Sequence, residues 1–206
     1  MMNRTTLILL KTLTWIACLA PLGWLVWGPI LHPGPDPTAA MAFLTGLTTL
    51  RLLTITLAIT PLRRLSSRFN WLIKFRRLLG LFAFFYATLH MLTYVALYSG
   101  FNLNAMLADV AKRRFITMGV AAYLLLLPLA LTSTTWAIRK LGGKRWNRLH
   151  KLVYIAAICG VIHYWWQVKP GVITPITITV ILAVLLVARP VQTHMQRRKK
   201  AQAVAV

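Results

Sequence analysis

Long apolar stretches alternate with short polar or basic stretches along most of the chain. A helix needs about 20 predominantly apolar residues to cross a bilayer, at about 1.5 Å of rise per residue. Six stretches reach or approach that length: residues 7–27, 41–61, 77–99, 116–137, 150–167 and 173–189. This pattern predicts an all-α, polytopic membrane protein, a six-transmembrane-helix bundle in which residues 1–206 form a single transmembrane domain.

The composition agrees with this pattern. The chain is 58% hydrophobic and 13% charged, whereas soluble domains are about 45–50% apolar and about 25% charged. This composition excludes a disordered chain and disfavours an ordinary soluble globule.

The charge of the chain predicts its orientation. There are 24 Lys and Arg residues against 2 Asp and Glu. Such an excess is typical of nucleic-acid-binding proteins, but cytoplasmic loops of membrane proteins collect the same residues. Nineteen of them fall in the N-terminus, the second and fourth loops and the tail, against four in the alternate loops. We therefore predict that both termini are cytoplasmic (N-in/C-in), with membrane lipid and no nucleic acid as a partner.

Three of the five histidines lie in predicted spans and are the main candidates for chemistry. His90 lies 13 residues after Arg77 in the third span, and His163 lies 13 residues after His150 in the fifth. Because 13 helical residues rise about 20 Å, His90 and His163 should reach the same depth near the outer face. Two imidazoles from two helices suit haem iron. We predict that this pair binds one haem; the alternative is a pair of hydrogen-bonded core residues.

Four further residues are candidates for binding a cofactor in the bundle. His150 could ligate a second haem, but the residue at the same depth in the third span is Arg77, so one or two haems remain open. Arg51 lies inside the second span and either binds a propionate, a flavin phosphate or a quinone, or is satisfied by helix-end carbonyls. Arg76 and Arg77, at the start of the third span, either bind a propionate or phosphate or only set the orientation. His32 and His194 lie outside the spans and are predicted to be solvated.

Acid–base catalysis and ion transport find little support. Both acidic residues, Asp36 and Asp109, fall in predicted outer loops, and no motif for phosphate, dinucleotide, zinc-protease or serine-hydrolase chemistry occurs. Proton-coupled transporters usually carry carboxylates within their spans. We assign no catalytic residue, since electron transfer requires only a cofactor held in the bundle. A transporter or scaffold with structural histidines is the alternative from another class, and it predicts a colourless protein.

Several segments resemble the MsrQ (YedZ) family, the haem-binding membrane subunits of methionine sulfoxide reductase systems. This family is part of the ferric reductase-like transmembrane superfamily, which includes the NADPH oxidases. The segments are TGLTTLRLLTITLAITPLRR (45–64), RRLLGLFAFFYATLHMLTY (76–94), LTSTTW (131–136), GKRWNRLHKLVY (143–154) and HYWWQVK (163–169).

The resemblance implies a cofactor set and its ligands. The family binds haem b, and FMN is also reported for it, which would make the chain a flavoprotein as well. The family's haem ligands map onto His90, His150 and His163. The oxidases carry two histidines on each of two helices, whereas the third span here carries one, which leaves the second haem open.

The resemblance also implies partners and a location. Such a protein lies in the bacterial inner membrane as a multi-pass protein. It takes electrons from the quinone pool or a cytosolic flavin reductase. It passes them to a periplasmic MsrP-type molybdopterin enzyme, which repairs proteins by reducing methionine sulfoxide. The chain would then be an electron-transfer subunit rather than a complete enzyme. A stand-alone transmembrane ferric or quinone reductase is the alternative.

Overall fold

The computed structural model describes residues 3–168 and 173–204. Within these ranges the chain forms eight α-helices and three short helical segments of other types. The α-helices are α1 (Arg4–Leu25), α2 (Pro37–Leu65), α3 (Ile73–Thr93), α4 (Leu103–Lys112), α5 (Arg114–Leu131), α6 (Thr135–Leu149), α7 (Leu152–Gln167) and α8 (Thr174–Val204). π-Helical turns extend α1 to Leu31 and α3 to Tyr98, and a 3-10 segment, Ser67–Leu72, leads into α3.

The helices agree with the predicted fold class. Five segments are long and apolar enough to cross a membrane, and α7 is a shorter apolar helix. The five are Arg4–Leu31, Pro37–Leu65, Ser67–Tyr98, Arg114–Leu131 and Thr174–Gln196. The chain is therefore an all-α, multi-pass membrane protein, and α7 accounts for the sixth expected helix.

The connections differ from the predicted spans in two places. The helix expected to run to residue 137 ends at Leu131, and a new helix begins after Thr134, whose side chain accepts a hydrogen bond from the Ala137 amide at 3.1 Å. Such a cap satisfies one of the free amides that begin every helix. The stretch 100–115, expected as a polar connection, contains α4, which Asn102 caps in the same way.

The basic segments are helical rather than extended. The basic stretch 138–149 lies within α6, which is interrupted at Gly142 by a positive φ of 72°, and the basic tail continues α8. The short Pro/Gly turn predicted at 168–172 falls mostly on residues outside the described ranges.

Two antiparallel helix pairs form the most extensive contacts of the bundle, α2 with α3 and α5 with α7. The helix α2 is the most deeply buried of the long helices and also contacts α8, α7 and α1. Its buried threonines donate to carbonyls one turn back, as Thr49 does to Thr45 (2.9 Å) and Thr56 to Leu52 (2.7 Å). Small residues with internally satisfied hydroxyls let the helices approach closely.

Candidate functional site

His90 and His163 meet at one end of the bundle. His90 lies near the end of α3 and His163 near the end of α7, and their ring centroids are 5.8 Å apart. The two ring planes are inclined by 80°. The structure thus brings together the two histidines that the equal spacing predicts at one depth. We call these residues the histidine pair.

Each imidazole of the histidine pair is held by the backbone of the neighbouring helix. The Nδ1 of His90 lies 2.9 Å from the carbonyl oxygen of Ala42 on α2. The Nδ1 of His163 lies 2.6 Å from the carbonyl oxygen of Phe115 on α5. A carbonyl only accepts, so Nδ1 carries the proton in both rings and Nε2 keeps a free lone pair. This is the tautomer in which an imidazole ligates a metal through Nε2, with its other nitrogen fixed by a carbonyl.

A glycine lies against each imidazole. A Cβ atom at Gly46 on α2 would stand 3.0 Å from Cε1 of His90. A Cβ at Gly119 on α5 would stand 2.9 Å from Nδ1 of His163. Any side chain at these positions would occupy the space of the ring. The two glycines therefore let each histidine lie flat against the adjacent helix.

The donor set fits a haem better than a bare metal ion. Within residues 3–168 and 173–204, no group of three or more His, Cys, Asp or Glu residues is placed to hold a metal ion. Protein zinc sites use three or four protein ligands, so two imidazoles alone do not suffice. A haem supplies the equatorial ligands itself and requires only axial ones. If a haem binds here, His90 and His163 would hold its iron through their Nε2 atoms, since each Nδ1 is held by a carbonyl.

His150 occupies a different environment. It lies in the turn between α6 and α7, where its ring stacks on Trp146 at 3.8 Å and its Nε2 lies 3.3 Å from the Thr132 hydroxyl. That hydroxyl donates its hydrogen to the Pro128 carbonyl at 2.6 Å, so it accepts from Nε2 of His150. Nε2 of His150 therefore carries the proton, the opposite tautomer to the histidine pair.

Burial also keeps His150 neutral. Burial, and to a lesser degree the guanidinium of Arg76, lowers the pKa of His150 to about 4. A neutral imidazole retains one lone pair, here on Nδ1. Among the residues that the structure describes, no second histidine lines the same cavity.

The structure places Arg51 and Arg77, both selected from the sequence, on exposed faces of their helices. The side chain of Arg51 is exposed on α2 and has no hydrogen bond or ion pair to any described residue. Arg77 is exposed at the start of α3, whereas its neighbour Arg76 is half-buried and lines a cavity. Adjacent helical residues point about 100° apart. The rotation of α3 therefore directs Arg76 into the cavity and Arg77 outward.

A basic cavity of about 420 Å³ lies at the opposite end of the bundle from the histidine pair. It is bordered by the end of α2, the start of α3, the α6–α7 turn and α8. Its cationic side chains are Arg64, Arg76, Lys151 and Arg189, and it also includes the neutral groups Thr60, Asn147, His150, Tyr154, Pro190 and Thr193. No carboxylate borders it among the described residues.

Sequence reasoning missed most of this cavity and both glycines. From the sequence, Arg64, Lys151 and Arg189 count only among the nineteen basic residues of the predicted cytoplasmic segments. The sequence does contain a signal for the packing role of Gly46 and Gly119. Each is a lone glycine inside an apolar helix, and each lies 44 residues before its histidine. Isolated glycines in such helices often mark close packing.

The comparisons with known proteins point to one family. A model described as ferric reductase like transmembrane component matches residues 45–161, more than half of the chain. A protein-methionine-sulfoxide reductase heme-binding subunit MsrQ from Herminiimonas arsenicoxydans is 48% identical over 202 residues, 97% of this chain and 92% of the relative.

Two other relatives carry the same description. One from Xanthomonas oryzae pv. oryzae is 44% identical, over 97% of this chain and 94% of the relative. One from Brucella ovis is 42% identical, over 92% of this chain and 85% of the relative. The similarity therefore extends over nearly the whole chain.

Proposed function

Because this chain belongs to the MsrQ heme-binding subunits of the ferric reductase-like transmembrane family, we propose that it is a haem b electron-transfer subunit. In this role it carries electrons across the bacterial inner membrane to a periplasmic MsrP-type molybdoenzyme that reduces methionine sulfoxide in proteins. The description of the relatives supports a place in a methionine sulfoxide reductase system. The chain is then one subunit of an oxidoreductase system rather than a complete enzyme.

The histidine pair is the observation that carries this proposal. Two imidazoles from α3 and α7 lie with their ring centroids 5.8 Å apart, each with Nδ1 hydrogen-bonded to a carbonyl and Nε2 available. When bound, a haem supplies the one-electron chemistry. The chain's part is to fix both ring orientations, to exclude competing ligands and to surround the site with apolar helices. Axial imidazoles and burial are the features that set the reduction potential.

Two ends of the bundle suit two different partners. By the positive-inside rule the basic end faces the cytoplasm, where the quinone pool or a cytosolic flavin reductase would donate electrons. The histidine pair lies at the other end, which suits delivery to a periplasmic acceptor. FMN is proposed as a further cofactor on the donor side.

One haem per chain is the stoichiometry that the geometry supports best. His150 is the candidate ligand for a second haem, but its Nε2 is engaged by Thr132. Within residues 3–168 and 173–204, no partner histidine lines the cavity beside it. A second haem would therefore require Nδ1 ligation or a shift of the α6–α7 turn.

A stand-alone ferric or quinone reductase is the second candidate. The observation in its favour is the description of the matching family model, which names a ferric reductase-like component. It would use the same histidine pair but no periplasmic protein partner.

The test is spectroscopic first and kinetic second. The purified protein should show a b-type spectrum when oxidised and when reduced with dithionite, and the pyridine haemochrome should give about one haem per chain. The reduced protein is then mixed with a purified MsrP-type reductase or with ferric citrate. Rapid reoxidation by the reductase alone supports the subunit role, and reoxidation by ferric citrate alone supports the second candidate. A folded, colourless protein after haem supplementation would contradict both.

A further inference from the structure

The short helix α4 lies at the end of the bundle that holds the histidine pair. The Tyr94 hydroxyl, four residues after His90, donates to the Asp109 carboxylate of α4 at 3.3 Å. The Thr117 hydroxyl of α5 donates to the Val110 carbonyl of α4 at 2.6 Å. These contacts attach α4 to the helix that carries one imidazole and to the helix that orients the other.

The junction of α4 and α5 carries three successive exposed cations, Lys112, Arg113 and Arg114. Arg113 pairs with Asp109 at 3.0 Å, and the other acidic residue of the chain, Asp36, caps α2. No ion pair to Lys112 or Arg114 occurs among the residues that the structure describes. We call these two residues the outer cationic patch. The positive-inside rule disfavours cations at this end, so membrane orientation does not explain them.

The two sides of α4 differ in chemistry. Leu103 and Leu107 are 64% and 61% exposed, and they lie on the same side because they are four residues apart. Lys112 follows Leu103 by nine residues, about two and a half helical turns, so it points to the opposite side. When the leucines face the outer leaflet, as in interfacial helices, Lys112 faces the aqueous phase. This placement favours a soluble partner over lipid.

The outer cationic patch adjoins a residue that contacts His163. Phe115 directly follows Arg114, and its carbonyl oxygen lies 2.6 Å from Nδ1 of His163. The ring centroids of Phe115 and His163 are 6.1 Å apart. Phe115 is half-buried and Arg114 is exposed, so two successive residues lead from the imidazole to the surface.

We propose that the outer cationic patch docks an acidic surface of the redox protein that accepts electrons from the histidine-pair site. This inference rests on the proposed function, because it places the exit of the electron at this surface. One electron passes: the histidine-pair site is oxidised and the acceptor is reduced, and no bond forms or breaks. Unpaired cations beside such a site speed the encounter with an acidic partner, and salt screens the effect.

The first measurement is binding, which requires no turnover. The full chain and the double variant Lys112→Gln/Arg114→Gln are placed in nanodiscs of neutral phosphatidylcholine. Association of a purified MsrP-type reductase is followed by biolayer interferometry at low and at high salt. At low salt the double variant should associate about tenfold more slowly, and at high salt it should match the unaltered chain.

A matched control removes two charges from the opposite end of the bundle. Arg139 and Lys144 are exposed cations of α6, so Arg139→Gln/Lys144→Gln has the same net charge as the test variant. This control should associate like the unaltered chain. Equal association of both double variants, or association that does not depend on salt, would overturn the proposal.

The second measurement tests the surface without a protein partner. The dithionite-reduced protein is reoxidised in a stopped-flow instrument by ferricyanide, an anion, or by tris(phenanthroline)cobalt(III), a cation. The outer double variant should react about threefold more slowly with the anion and faster with the cation, whereas the α6 control should change neither rate. If only the α6 control changes these rates, electrons leave at the other end and the proposal is wrong.

Haem content and lipid composition separate the remaining explanations. A colourless protein contradicts the proposed function itself. A coloured protein with an unchanged haem-to-protein ratio, whose rates do not depend on Lys112 and Arg114, contradicts only the docking surface. A variant effect that appears only when the nanodiscs contain phosphatidylglycerol would assign the two cations to lipid head groups and overturn the protein docking.

Discussion

The two helix pairs that carry the histidines orient the imidazoles by the same kind of contact. In α2–α3 the carbonyl of Ala42 receives Nδ1 of His90, and in α5–α7 the carbonyl of Phe115 receives Nδ1 of His163; both contacts join residues 48 apart. In each pair a glycine follows the carbonyl residue by one helical turn and lies against the ring. The repetition shows that ring orientation, and not only ring position, is built into the backbone.

The two pairs diverge at their basic ends. Thirteen residues before each histidine stand Arg77 on α3 and His150 before α7. Arg77 is exposed, whereas His150 is half-buried and keeps its proton on the opposite nitrogen from the histidine pair. The same residue type thus keeps Nε2 free at one end of the bundle and has Nε2 bonded to a hydroxyl at the other. This difference supports the proposal of one haem per chain over two.

The largest effect is expected from removing either imidazole. His90→Ala and His163→Ala should each lose nearly all haem, because a single axial ligand remains and the freed carbonyl loses its donor. The haemochrome assay measures the loss, and added imidazole should restore part of the spectrum. His32→Ala, which alters an exposed histidine bonded to the Trp27 carbonyl, is the control. Full haem retention in both variants would contradict the assignment of His90 and His163 as haem ligands.

The next effect is expected from filling the space behind a ring. Gly119→Ala should displace His163 from the Phe115 carbonyl and cost about 1–3 kcal/mol, with lower haem occupancy and a changed low-spin EPR signal. Gly46→Ala should act in the same direction but less, since its Cβ would stand 3.0 Å rather than 2.9 Å from the ring. Gly23→Ala is the control, because nothing lies within 4 Å of its Cβ position. Equal spectra for all three variants would contradict the packing role.

A smaller effect should reveal the asymmetry between the two pairs. The Thr45 hydroxyl lies 3.4 Å from Nδ1 of His90. Thr45→Val removes this contact while the Ala42 carbonyl remains, so the change should be below about 1 kcal/mol. A shift of the midpoint potential without haem loss is the expected result. Thr49→Val, one turn further along the same buried face, should leave the potential unchanged.

The smallest effect is expected from the basic end. His150→Ala should leave the haem between His90 and His163 in place, with its EPR signal and haem-to-protein ratio intact. If the ratio instead falls from about two to about one, the basic end binds its own haem, and the two ends are more alike than their tautomers indicate.

The sequence predicted the elements and the histidine pair for a simple physical reason. Span length and the rise per residue are local properties, so equal spacings from the basic ends place His90 and His163 at one depth. The carbonyls of Ala42 and Phe115 could not be predicted, because they depend on how each helix is rotated against its neighbour.

The basic cavity could not be predicted from the sequence, for the same reason. Arg76 and Arg77 are adjacent and chemically identical, and only the rotation of α3 decides which one faces inward. Arg189 joins the cavity because α8 packs against α2 and α7, a long-range contact without a local signal. The exposed position of Arg51 likewise follows from the face of α2 that the bundle buries.

The division of the histidine pair between α2–α3 and α5–α7 has a consequence for biogenesis. Chains enter the membrane from the N-terminus, so the first half offers one oriented imidazole while the second is still being synthesised. Neither half alone supplies both axial positions. Haem capture would therefore come late in assembly, and the colour of the protein would report that insertion has been completed through α7.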